Sequence, residues 1–344
     1  MTNKRDVMPS SSADQVADTP TNKRCLDDLG AQLDAMLVGT SAEMQKLRRL
    51  IVTLARNGHP VLIEGESGTG KEVVARAIHF CGPRQSSPFI PVDCGAIVAT
   101  LMETELFGHA PGAFTGAVGS KDGLLVVARD GTIFLDEVGE LPADLQPKLL
   151  RALQEREIRP VGGNRSVRIN ARIVAASNRD LKSAAQEGTF RKDLYFRLNG
   201  VHLRVPPLRE RKDDVPLLVT HFLEKIASID NVRWAVSDEA MRVLLEYHWP
   251  GNIRELEHCL EHATVVASGT LLRISDLPAS VSLCVRSDRI SQRDAGIIPI
   301  AELQKRAILA AIDHANGDKQ EAARMLGISK TTLYRKLRDW ESQQ

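Results

Sequence analysis

The sequence contains no apolar run approaching 18 residues, so a membrane-spanning helix of ordinary length is excluded. Its first 29 residues are polar and lack the apolar stretch of a secretory leader. Cysteine is scarce. Cys25, Cys81, Cys94, Cys259 and Cys284 are scattered, odd in number and form no C-x-x-C pair, so neither a disulfide framework nor a zinc knuckle is expected. An excess of one charge is also missing: 45 Lys and Arg face 44 Asp and Glu, and the net charge of +1 means that any binding to nucleic acid, membranes or acidic substrates must be local. No internal repeat is visible. These absences point to a soluble, cytoplasmic protein. What is present is globular in character, with 43% hydrophobic and 26% charged residues, and 344 residues suggest about two domains with a small third element.

Residues 1–36 are rich in Ser, Thr, Asp and Lys and read as a flexible tail, with a short helix near Cys25 to Leu37. From there to residue 267, short apolar runs alternate with amphipathic segments, the pattern of an α/β unit with a parallel sheet. The expected strands are Pro60–Glu64, Phe89–Val92, Thr132–Leu135 and Arg172–Ala176, and Asp144–Arg156 is an amphipathic helix with a leucine stripe. After Pro206-Pro207 the pattern becomes helical throughout, giving a lid over 208–267. Residues 268–297 read as a linker, and 298–344 as a separate all-helical unit.

Gly65-Glu66-Ser67-Gly68-Thr69-Gly70-Lys71-Glu72 follows an apolar strand and opens a helix. Glycines let backbone wrap phosphates, the helix N-terminus aims N–H groups at them, and Lys71 supplies a point charge. The bare G-x4-G-K spacing occurs by chance in roughly one chain of this length in fifteen; the strand before it and the helix after it make the phosphate reading specific. Glu72 stands where many P-loops have a hydroxyl for magnesium, so metal binding must lean on another residue. Gly131-Thr132-Ile133-Phe134-Leu135-Asp136-Glu137 supplies one: an apolar strand ending in two carboxylates, Asp136 for magnesium and Glu137 to polarise an attacking water.

Four further residues suit phosphoryl chemistry. Asn178, at the end of the next strand, could orient water or sense a γ-phosphate. Arg191 and Arg197 lie six residues apart, on different faces of a helix, and could stabilise transition-state charge. Arg254 opens a helix, where a cation opposes the helix dipole, so a phosphate contact explains it better than capping. Gly112-Ala113-Phe114-Thr115-Gly116-Ala117 reads as a mobile loop with an exposed apolar tip, and the alternative is a tight turn with Phe114 folded into the core.

Near the C-terminus, 318–338 reads as helix, glycine turn, helix. Ala323, Leu326, Ile328 and Leu333 would form its small core, and Ser329 the N-cap of the second helix. That helix would offer Ser329, Lys330, Thr331, Thr332, Tyr334, Arg335, Lys336 and Arg338 to a DNA groove.

Taken together, the P-loop, Phe-Leu-Asp-Glu and Gly-Ala-Phe-Thr-Gly-Ala resemble the motifs of bacterial enhancer-binding proteins, the AAA+ activators of sigma-54 RNA polymerase; the C-terminal unit resembles a Fis-type helix-turn-helix. The resemblance implies a fold: an α/β AAA+ P-loop ATPase with a parallel-sheet core and helical lid, then a small all-α helix-turn-helix domain. It implies ATP and Mg2+ as cofactors. The partners it implies are sigma-54 RNA polymerase holoenzyme, enhancer DNA and further copies of the chain in a ring, usually a hexamer. Gly112 to Ala117 would contact sigma-54, Gly65 to Glu72 and Arg254 would hold nucleotide, and Asn178 would be a sensor. Arg191 and Arg197 would act in trans, Arg197 as the finger. Glu72 is ordinary in this family. Asp93 is not, since many members carry Asn there to restrain the Walker-B glutamate; a carboxylate facing Glu137 could not donate that hydrogen bond, and altered coupling is expected. Most relatives carry a regulatory domain of about 100 residues or more ahead of the ATPase. The short tail here implies control by a separate protein binding the ATPase, by expression level or by a co-activator. Two rival readings are an AAA+ remodeller with another client and a DNA-binding repressor with a dead ATPase.

Overall fold

The computed structural model describes residues 33, 36–114, 119–282, 304, 307–308, 310–312, 315 and 318–341. Most of the 1–36 tail, residues 283–297 of the linker and Thr115, Gly116 and Ala117 of the loop lie outside them. Two compact units divide the chain, Met1–Pro278 and Ala279–Gln344.

The first unit is built on a five-stranded parallel sheet: β1 (Val61–Glu64), β2 (Phe89–Asp93), β3 (Thr132–Asp136), β4 (Arg172–Ser177) and β5 (Val201–Arg204), in the order β2-β3-β4-β1-β5. Alternation along the strands serves two cores. Leu62, Ile133, Leu135, Ile173 and Ala175 face one core. Val61, Ile63, Phe134, Val174 and Ala176 face the other, against α1 (Ala42–Ala55) and α2 (Lys71–Phe80). The first face is covered by α3 (Ala99–Phe107), α4 (Gln146–Glu155), α5 (Leu181–Glu187) and α6 (Lys192–Leu198). Leu145, Leu149, Leu150 and Leu153 are all buried, as their spacing predicts; α4 itself starts at Gln146, with a proline in its first turn.

β5 has no counterpart among the four expected strands. As a four-residue edge strand it buries only Leu203 fully, and its His202 meets Glu64 of β1 at 2.7 Å, so it reads as polar in sequence. A buried arginine fixes the far end of the sheet. Arg172 donates from Nη2 to the Leu54 carbonyl at 2.7 Å, at the C-terminus of α1, where a cation meets free carbonyls. Burial holds its guanidinium down to about 10.

The lid consists of α7 (Val215–Asp230), α8 (Asp238–Glu246) and α9 (Asn252–Val266). Ser237 caps α8 through the Ala240 N–H. Trp249 is fully buried and donates its Nε1–H to the Leu244 carbonyl at 2.8 Å, pinning the turn between α8 and α9.

In the second unit, α10 (Lys319–Met325) and α11 (Lys330–Glu341) are joined by a turn in which Gly327 has φ +67°. Ala323 and Leu333 are buried, with Leu326 and Ile328 packed beside them; Ile308, Ala311 and Ala322 complete this core. Ser329 accepts from the Thr332 N–H at 3.2 Å, the expected cap.

Candidate active site

The P-loop lies at the C-terminal end of β1, where the sheet order switches direction and open α/β sheets place ligands. A cavity of about 460 Å3 opens there, walled by Ser67 to Val74, Asp93, Asp136, Glu137, Arg211, Arg254 and the apolar Leu37, Val38, Met44, Leu47, Leu218 and Phe222. Gly68 and Gly70 have φ of +76° and +95°; a Cβ on Gly68 would sit 2.3 Å from the Gly251 carbonyl of the lid, so only glycine fits. Lys71 is 5% exposed, and its Nζ donates to the carbonyls of Gly65 (3.1 Å) and Glu66 (3.4 Å) and to Glu137 Oε1 (3.3 Å). Glycine backbone at positive φ, an exposed helix N-terminus and a buried ammonium form a donor set that fits a nucleotide's phosphates.

Asp136 and Glu137 separate as a strand exit requires. Burial raises the Asp136 carboxyl above the usual carboxylate range; the Glu137 charge pushes it further and Lys71 opposes. Glu137 sits at φ +50°, a costly conformation for a non-glycine residue. Its Oε1 meets Lys71, and its Oε2 accepts the Asn178 backbone N–H at 3.1 Å. Among the described residues no hydrogen bond joins Asp93 to Glu137. Asp93 lines the cavity, but its Oδ1 accepts from the backbone N–H groups of Gly95 (2.8 Å) and Ala96 (3.1 Å), a local turn that an asparagine could make equally well. The glutamate is restrained instead by Lys71 and by the Asn178 main chain. Beside these acids, burial pushes the Cys94 thiol up to about 12, which keeps it inert.

Glu66 and Glu72 both point away from phosphate work. Glu72 pairs with Arg76 one turn on, at 2.7 Å. Glu66 is forked by Arg209, at 2.6 and 2.7 Å, and the guanidinium holds its carboxyl down at about 2. Arg254 reaches Ser67 Oγ at 3.2 Å, while the Ile253 and Arg254 N–H groups donate to the Gly68 carbonyl at 2.9 and 3.4 Å, so the start of α9 lies directly on the P-loop.

Arg191 and Arg197 are absent from the cavity wall. Arg191 is forked to Asp193 (3.0 and 2.7 Å), and Arg197 Nη2 donates to the Leu153 carbonyl at 3.1 Å. Phe114 is 48% exposed and meets the His109 ring edge-on at 5.1 Å, so it is not folded into the core. Its loop springs from an antiparallel pair, Gly108–His109 with Lys121–Asp122, and Ala113 packs against Gly162 of a neighbouring turn.

Sequence reasoning missed Asn252, Arg209 and Arg211. Asn252 is fully buried at φ +54°; its Oδ1 accepts the Leu208 N–H (2.8 Å) and its Nδ2 donates to the Ser67 carbonyl (3.0 Å) and Glu66 Oε2 (3.2 Å). One amide thus staples lid to P-loop. The signal was the turn-forming Trp249-Pro250-Gly251-Asn252 just before Arg254. Replacing Asn252 by Ala strands a buried N–H and a carbonyl, at about 1–3 kcal/mol for each group. Thermal unfolding should show a midpoint several degrees lower, and an unchanged midpoint would contradict the staple.

Residues 37–204 match the sigma-54 interaction domain, 209–291 an AAA+ ATPase lid domain, and 299–340 the Fis family of bacterial regulatory proteins. Transcriptional regulatory protein ZraR of Salmonella typhimurium is 44% identical over 303 residues, which cover 88% of this chain and 68% of that protein. The chain belongs to the sigma-54-dependent transcriptional activators. Response regulator protein PilR of Pseudomonas aeruginosa is 42% identical, with 90% of this chain and 70% of that protein covered. The crystal structure of NtrX from Brucella abortus in complex with ATP superposes with a TM-score of 0.68 at 32% identity, covering 93% of this chain and 74% of that one. The activator is an AAA+ ATPase with a nucleotide cofactor, and both rival readings fall. Among the described residues, no helix is long and apolar enough to cross a membrane.

Proposed function

We propose that this activator works in the cytoplasm as a ring in which each chain completes its neighbour's ATPase site. The observation that carries this reading is where the arginines sit. Arg197 has its guanidinium on the Leu153 carbonyl, outside the cavity of its own chain, so within one chain it is not placed to meet the γ-phosphate. Arg191, already forked to Asp193, is the less available of the two.

Within the site, Lys71 and the P-loop N–H groups hold the phosphate chain, and Glu137 accepts the proton of the attacking water. Magnesium, when bound, neutralises phosphate charge; Asp136 is the protein carboxylate placed to hold it. Among the described residues no cluster of three metal-ligating side chains exists, which suits a magnesium held largely by phosphates and water. Release of Glu137 from the Asn178 N–H would report γ-phosphate loss along β4. Phe114 and Thr115 of the Gly112 to Ala117 loop would carry that change to sigma-54. Exposed Lys330, Thr331, Tyr334 and Arg335, with Lys336 partly buried beside them, give α11 the donors to grip enhancer DNA.

Subunit mixing tests the ring. Arg197→Ala and Lys71→Ala should each be inactive alone, and mixing them should restore part of the ATPase rate, because an intact site then borrows Arg197 from its neighbour. No recovery on mixing, with both variants still co-assembling, would rule out action in trans.

A further inference from the structure

Two charged side chains in the short stretch joining core to lid are buried as deeply as apolar core residues. Asp214 is fully buried and its carboxylate is satisfied: Oδ1 accepts the N–H groups of Thr40 (2.6 Å) and Ser41 (2.8 Å), and Oδ2 accepts the Ser41 hydroxyl (2.6 Å). Gly39, at φ +135°, permits this approach, since a Cβ there would lie 2.7 Å from the carboxylate. Arg211, 3% exposed, is provided for differently. Its Nη2 donates to the Thr69 carbonyl of the P-loop at 3.1 Å, its Nη1 meets only the Met44 sulfur of α1 at 2.9 Å, and its buried Nε–H has no partner.

A thioether is a weak acceptor, and a guanidinium removed from water with an open donor is costly unless something completes its shell. No carboxylate among the described residues lies within ion-pairing distance of Arg211, and the Asp214 charge favours the guanidinium only from farther off. The other long cations of the cavity wall each reach a side-chain oxygen: Lys71 on Glu137, Lys225 on Glu257 and Arg254 on Ser67. Arg211 lines the same wall, where the P-loop gives way to the apolar residues of α1 and the lid.

We infer that Arg211 is a nucleotide-positioning residue: from the cavity wall its guanidinium offers charge to the bound, anionic nucleotide, braces the P-loop through Thr69 and ties occupancy of the cavity to the root of the lid. The inference depends on the cavity being the ATPase site. It adds a cation to the phosphate-binding set from a segment 140 residues beyond the P-loop, at no motif position named above. Asp214, held by Thr40 and Ser41, anchors the same segment to the strap that leads into α1, so the brace has a fixed base.

The test is calorimetric binding of ADP to the full chain across a range of salt concentrations. Arg211→Met should weaken ADP binding by about tenfold or more and flatten its salt dependence, the loss expected for one charge-assisted contact. Arg211→Lys keeps the charge without the fork, and should retain the wild-type salt slope with intermediate affinity. Should Arg211→Met fail to fold, Arg211→Gln carries the same comparison with Arg211→Lys. ADP affinity within about twofold of wild type in the Met or Gln variant would overturn the inference. So would a lysine variant as weak as the neutral one with the same flat slope, since Arg211 would then act by shape alone. Failure of the wild-type chain to bind ADP would instead contradict the cavity assignment, and the two failures are therefore distinct.

Discussion

Glu137→Gln should bind ATP with near wild-type affinity and hydrolyse it about 10²–10⁴-fold more slowly, the range for loss of a positioned general base. The Glu137 backbone has a strained φ of +50°, and its carboxylate stands between the Lys71 ammonium and the Asn178 main-chain N–H. A glutamine keeps the size and can still accept from Asn178, so the fold and the cavity survive. What disappears is the base that takes a proton from water, together with the charge opposite Lys71. Single-turnover hydrolysis with radiolabelled ATP separates the chemical step from release. A rate within a few-fold of wild type would move the base to another residue, and Asp136, whose carboxyl burial raises, would be the next candidate.

Phe114→Ala should leave ATP turnover standing and remove transcriptional activation. The side chain is half exposed at the loop's described end, it meets the His109 ring edge-on, and it belongs to neither core cluster of the sheet. A phenylalanine left in water on a folded protein is available to be buried elsewhere. Burying it against a partner is worth about 1.5–3 kcal/mol, or about 10- to 150-fold in affinity for sigma-54. In vitro transcription from a sigma-54 promoter reads this directly alongside ATPase rate. Full activation by the alanine variant would deny the loop its assigned contact.

How much of this was open to sequence reading depends on whether a residue's role is local. The P-loop announces itself because strand, glycines, lysine and helix are contiguous, and the same holds for Asp136 and Glu137 at the exit of β3. The period of Leu145, Leu149, Leu150 and Leu153 gives α4 to within two residues at its start. Asn252, Arg209 and Arg211 are different. Their partners Ser67, Glu66 and Thr69 lie more than 140 residues away, and in sequence the Leu208-Arg209-Glu210-Arg211 stretch reads only as the charged start of the helical lid. At Asp93 the residue type alone says that a carboxylate cannot donate to Glu137, while the turn in which its Oδ1 accepts two nearby N–H groups shows only in the structure. β5 was hidden because an edge strand with His202 and Arg204 facing outward lacks the apolar run by which the central strands are recognised.

The central claim is that nucleotide chemistry in the cavity under the lid drives engagement of sigma-54. The most direct measurement is to incubate the protein with purified sigma-54 and ADP–aluminium fluoride, a mimic of the hydrolytic transition state, and resolve the mixture by native gel or size-exclusion chromatography. A stable complex containing both proteins should form with ADP–aluminium fluoride and be absent with ADP alone. A chain that hydrolyses ATP yet traps no sigma-54 under these conditions would contradict the account.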